Sequence, residues 1–203
     1  SASLAARRLR TSRWAVPLAA ALSLGVLPAT AALRAQTAPN TLPATRPVVS
    51  LLCKYADIDA TFGFTADGIQ QHMWSGARSI DSLVQEASLG TVNLNGSQTF
   101  GWYTLPGTMA SYEPNFVGAA RIASDCSAAA RAAGVDLSPY VYEAIYLNDR
   151  LGGMEGGSFT SDFNGRPPTI VGNRALMNTM ILTYRALNSP GLVLHELGHV
   201  LGG

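Results

Sequence analysis

Charge is scarce in this chain. Lysine, arginine, aspartate and glutamate make up 13% of its 203 residues, and the formal net charge is +1. A balance this dilute provides neither a basic stripe nor an acidic run, so no nucleic-acid partner is expected. Cysteine is almost missing: Cys53 and Cys126 are the only two, too few for a disulfide scaffold. There are no internal repeats at solenoid spacing. The apolar run 14–27 covers 14 residues, contains Pro17 and is closed by Pro28. It falls short of the roughly 20 residues that a membrane-spanning helix needs. What remains is a chain with 47% hydrophobic residues, enough for one globular domain of ordinary size plus an N-terminal extension.

That extension reads as a processing signal. Arg7, Arg8, Arg10 and Arg13 precede the apolar run, and small residues follow at cleavage spacing, Ala29-Thr30-Ala31 and then Leu33-Arg34-Ala35. This order marks residues 1–35 as a secretory signal peptide, so the protein is expected outside the cytoplasm, extracellular or periplasmic, with no stable membrane anchor once the signal is removed. Residues 36–47, rich in proline and small polar residues, read as an extended linker. An oxidising destination permits a bridge between Cys53 and Cys126. Each also lies in an apolar setting that suits a free buried thiol, and both alternatives stand.

From residue 48 onward, apolar periodicity predicts strands alternating with helices, hence an α/β domain. Val48 to Cys53 is a short apolar run suited to a buried strand. Ile69, Met73, Ile80, Leu83, Val84 and Ala87 fall at helical spacing, with Thr65 as a cap and Gly76 as a break. Asn95-Gly96, flanked by residues 91–94 and 98–104, is the strongest hairpin signal. Residues 116–133 read as an amphipathic helix opening near Pro114 and stopping at Gly134, followed by a strand over 141–147. Residues 150–168 are loop or irregular edge. Over 175–187 the apolar residues fit a helix, while 177–183 fits a strand equally well.

The last segment carries chemistry. Ser189 suits an N-cap, Pro190 a first helical residue, and Gly202-Gly203 a stop. Between them the helix is apolar on nearly every side, which predicts burial, yet it holds His195, Glu196 and His199. Burying three ionisable groups is costly unless something pairs with them. His195 and His199 are four residues apart, so both imidazoles leave one face and can share a zinc ion. Glu196, rotated by about 100°, misses the metal but reaches a zinc-bound water. It would act as the general base of amide hydrolysis, taking the water's proton and returning it to the leaving amine. His195 and His199 are thus the expected metal ligands, Zn2+ the cofactor, Glu196 the catalytic base and a protein or peptide the substrate.

With Gly202 the motif lengthens to HExxHxxG, which resembles the metzincin pattern HExxHxxGxxH. Upstream, Ser82-Leu-Val-Gln-Glu-Ala-Ser-Leu-Gly-Thr-Val-Asn-Leu94, then Phe100-Gly-Trp-Tyr-Thr-Leu-Pro106, and Ala133-Gly-Val-Asp-Leu137 before a strand are similar to segments of the gametolysin-like peptidases and their bacterial relatives. Leu89 departs from the aromatic usual after the serine. The resemblance covers residues 48–203 and implies a zincin-like α+β fold: a twisted mixed sheet backed by helices, closed by the active-site helix, with an extended substrate beside an edge strand drawn from residues 152–178. It implies a third zinc ligand, histidine, three residues after Gly202; immune-inhibitor-type relatives place aspartate there, and gluzincins use a distant glutamate. The chain starts at Ser1 and stops at Gly203, so it is expected to be a fragment, residues 48–203 forming the N-terminal part of a metallopeptidase catalytic domain. As such it is either a secreted zinc endopeptidase awaiting its third ligand or an inactive, zincin-like binding module. Other polar and aromatic residues are read blandly: His72 as a surface or helix-end histidine, Trp102 and Tyr103 as packing, and Asp57, Asp59, Glu155 and Asp162 as solvated loop.

Overall fold

A computed structural model describes residues 44–112, 115–165, 170–171 and 174–202. The signal-peptide reading of residues 1–35 and Pro114 lie outside the described residues. The chain runs β1 (Val48–Lys54), α1 (Ala66–Gln70), α2 (Ile80–Ala87), β2 (Gln98–Thr104), α3 (Phe116–Ala132), β3 (Tyr142–Leu147), β4 (Gly156–Phe159), β5 (Ile170–Val171), β6 (Arg174–Ala175), β7 (Thr179–Thr183) and α4 (Pro190–Leu201). β5 and β6 form a separate two-stranded ribbon. The other five strands make one mixed sheet in the order β2-β1-β3-β7-β4, parallel except for β4, which runs antiparallel along β7.

Parallel strands are covered on both faces and read as unbroken apolar runs. β1 is such a run, buried from Val48 to Cys53. Alternation divides its side chains between two cores. Val49, Leu51 and Cys53, with Ile145, Leu147 and Ile181, pack against α3. Val48 and Leu52, with Ala144, Tyr146, Met180 and Leu182, pack against α1, α2 and α4. Ser50, the one polar residue inside this run, accepts a 2.9 Å hydrogen bond from the Trp74 indole.

Local signals place the helices. Thr65 caps α1 by accepting from the Gly68 amide, and Gly76 ends the π-helical turn Gln71–Ser75 that extends it. Asn115 caps α3 by accepting from Val117 and Gly118, and Gly134, at φ 88°, follows its end. A disulfide joins Cys53 of β1 to Cys126 of α3 across 73 residues, so of the two cysteine alternatives the fold takes the bridge.

Two expectations change and one open alternative is resolved. Residues 91–104 do not form a hairpin. β2 instead pairs in parallel with β1, and residues 91–94 are held elsewhere: Leu94 N–H donates to the buried Asp81 carboxylate, Val92 N–H to Ser88 Oγ, and Asn93 N–H to the Ala44 carbonyl. Asn95-Gly96 does turn the chain, but between a helix-anchored segment and a strand that finds its partner far away in sequence. The stretch 175–187 resolves as the buried strand β7 followed by the 3-10 turn Ala186–Asn188. The end of the linker, finally, is docked: Thr45 bridges Asn93, and the largely buried Arg46 donates to the Leu201 carbonyl at the end of α4.

Candidate active site

α4 is anchored on one side. Val193, Leu197 and Val200 are fully buried in the second core. Each contributes about 1.5–3 kcal/mol by leaving water. Pro190 sits in the first turn, where its missing N–H costs nothing. Ser189 holds the N-cap position, but its side chain makes no cap hydrogen bond. At the other end Gly202 is left-handed, φ 96°, a conformation that suits glycine and turns the chain off the helix axis.

The helix is not buried all round as its composition predicted. Leu192, Leu194 and Leu201 are half-buried and His195 and His199 are exposed; of the three ionisable residues only Glu196 is buried, at 7% exposure. Desolvation therefore does not compel the histidines to find a metal, and their geometry has to carry that argument. Their Nε2 atoms converge to 3.2 Å, with the rings nearly perpendicular and their centroids 4.7 Å apart. At the usual Zn–N length of about 2.0–2.1 Å, that separation subtends about 100° at the metal, close to a tetrahedral angle. The same separation makes a hydrogen bond when one Nε2 carries the proton. The pair thus fits two positions of a zinc ion, and among the described residues no third histidine, cysteine, aspartate or glutamate joins it.

Glu196 reaches into the junction between α4 and β4. Its Oε2 accepts from Ser158 Oγ at 2.7 Å, and the same hydroxyl lies 2.9 Å from the Glu196 carbonyl oxygen. Gly156 lies beside this junction and packs tightly on β7: a Cβ there would stand 3.1 Å from Leu182 Cδ2 and 3.3 Å from the Ile181 carbonyl, and in ordinary contact, 3.6 Å, with Glu196 Cγ. Among the described residues β4 pairs only with β7, so it is one of the two edge strands of the sheet, β2 being the other. An edge strand within 152–178 was expected, but neither its position nor Ser158 could be singled out.

The opposite face of the sheet holds a second polar feature that the sequence reading passed over. Glu143, 1% exposed on β3, accepts from Ser127 Oγ of α3 at 2.6 Å and from Thr179 Oγ1 of β7 at 3.2 Å. Burial pushes its carboxyl up to about 7, against the opposing pull of those two hydrogen bonds and of Arg131. It adjoins a hollow of about 360 Å3 also lined by Ser124, Arg131, Ser161 and Asp162. A lone acid within the otherwise apolar Tyr142–Leu147 run was the available signal.

Other residues set aside above fall away from the site. His72 lies in the π-helical turn and is partly buried, with its Nε2 enclosed and unpartnered among the described residues. Trp102 donates to the Phe64 carbonyl and packs on the second core, while Tyr103 packs on the first. Asp57 accepts from the Met109 amide and Asp59 pairs with Lys54. Glu155 is engaged by Thr183 and Arg185. No helix among the described residues is long and apolar enough to cross a membrane.

Compared with known proteins, the chain matches no family model and no curated protein sequence. The functional reading therefore rests on residues and geometry.

Proposed function

We propose that this chain is the N-terminal subdomain of a secreted zinc endopeptidase with a zincin-like fold, gametolysin-like in kind. The observation that carries the reading is the division of labour on α4: two exposed imidazoles converge at metal-ligand spacing, and the carboxylate between them is buried against an edge strand. His195 and His199 would hold the zinc through Nε2, the third ligand coming from outside the described residues. What zinc supplies when bound is acidity, bringing a water's pKa near neutrality. Glu196 takes a proton from the attacking water and hands it to the leaving amine. β4 offers its unpaired edge to an extended peptide, which adds to the sheet as a further strand and presents its carbonyl to the site. The Cys53–Cys126 disulfide agrees with an oxidising, extracytoplasmic location.

The test is zinc content and casein hydrolysis by the full-length protein. Glu196→Gln should keep one zinc per chain and lose hydrolysis by about 100-fold or more. His195→Ala and His199→Ala should lose both zinc and activity. A Glu196→Gln protein that cleaves as fast as the parent sinks the assignment of the base; a parent that binds no zinc sinks the whole reading.

A further inference from the structure

We infer that Ser158 is the positioning residue of the catalytic base, holding the Glu196 carboxylate through Oε2 against β4. This rests on the peptidase reading above. Oε2 receives a 2.7 Å hydrogen bond from Ser158 Oγ. When the base acts, the water's O–H bond breaks, an O–H bond to the Glu196 carboxylate forms, and the electron pair stays on the water oxygen.

The placement makes this an effective clamp. Ser158 lies inside β4, opposite Met180 in the β4–β7 ladder, so its Cα is fixed by the sheet. Its hydroxyl meets both the side chain and the carbonyl oxygen of the same residue, tying the helix to the strand where the base is mounted. A hydroxyl carries one proton, so the two acceptors share it. A glutamate side chain has three rotatable bonds, and an unclamped carboxylate would spread over several rotamers, most of them turned away from the water. Gly156, two residues before Ser158 on the strand, borders the Glu196 stem without a side chain to compete for its carboxylate.

The experiment compares Ser158→Ala and Ser158→Thr in the zinc-loaded full-length protein, with a crystal structure of the zinc-free Ser158→Ala variant as a readout independent of activity. Ser158→Ala should bind zinc at the parent stoichiometry and keep KM within about twofold, while kcat falls by about 10- to 100-fold. Ser158→Thr, which restores the hydroxyl, should recover most of kcat. In the crystal the alanine variant should show the Glu196 carboxylate in a new rotamer. The proposal is overturned if Ser158→Ala keeps kcat within about twofold of the parent, if threonine fails to rescue a folded protein, or if the carboxylate stays in place without the hydroxyl. If the parent has no peptidase activity the functional reading fails by itself, and the crystal structure still decides whether Ser158 holds Glu196.

Discussion

Consider replacing Glu143 by glutamine and following stability against pH. In the folded protein burial raises this carboxyl from 4.5 to about 7, whereas in the unfolded chain it titrates near its ordinary value. Between those two pH values the folded state holds a proton that the unfolded state has lost. Stability therefore falls as pH rises through this window, and above about pH 7 the whole cost of an ionised, buried carboxylate is in place. The cost is about 3 kcal/mol, a large fraction of a domain's net stability. Ser127 and Thr179 donate to the carboxylate, and Arg131 stands by, so the charge is tolerated rather than expelled. Glutamine keeps the shape and an accepting oxygen but does not titrate. Urea unfolding at intervals from pH 4.5 to 8, comparing midpoints at constant slope, isolates the effect because every other titrating group is common to both proteins. The parent should lose about 3 kcal/mol relative to the variant across the window. Parallel stability curves would refute the claim that Glu143 is folded into the core as an acid.

Two further outcomes follow from the same structure. Removing the disulfide by Cys53→Ala with Cys126→Ala opens a 73-residue loop in the unfolded chain and should cost about 4 kcal/mol, measured by denaturant unfolding; a double variant as stable as the parent would mean that the bridge does not form. Gly156→Val places a side chain where even a Cβ stands 3.1 Å from Leu182 Cδ2 and 3.3 Å from the Ile181 carbonyl, so it should destabilise by about 1–3 kcal/mol and lower hydrolysis by parting β4 from α4; an unchanged melting temperature would show that the junction is looser than these distances imply.

Elements whose signals are local were legible in the sequence. α3 announces itself by apolar spacing and a glycine at 134, and the structure places its ends within a residue or two of the 116–133 reading, while its Asn115 cap was not singled out. β1 was legible because a strand buried on both faces must be apolar throughout. The same property hid β7: buried on both faces, Thr179–Thr183 shows no alternation and could pass for helix. The hairpin expectation failed for a related reason. Asn95-Gly96 reports a turn, but strand pairing is decided by the whole sheet, and β2 pairs with a strand some 50 residues earlier. Ser158 left no trace at all, because its meaning arises only when residue 158 meets residue 196.

The site follows the same division. The spacing of His195 and His199 is a property of one helical turn, so their convergence was legible before any fold was known. That Glu196 is buried and the histidines are not depends on how α4 rolls against the sheet, which Val193, Leu197 and Val200 determine by docking into the second core. Were the helix rotated by one residue, about 100°, either Glu196 would take the solvent-facing place of His195 or His195 would take the place of Glu196 against Ser158. The apolar residues of α4 therefore orient the candidate site as well as stabilise the fold: they leave His195 and His199 exposed and hold Glu196 buried, where one hydroxyl can reach it.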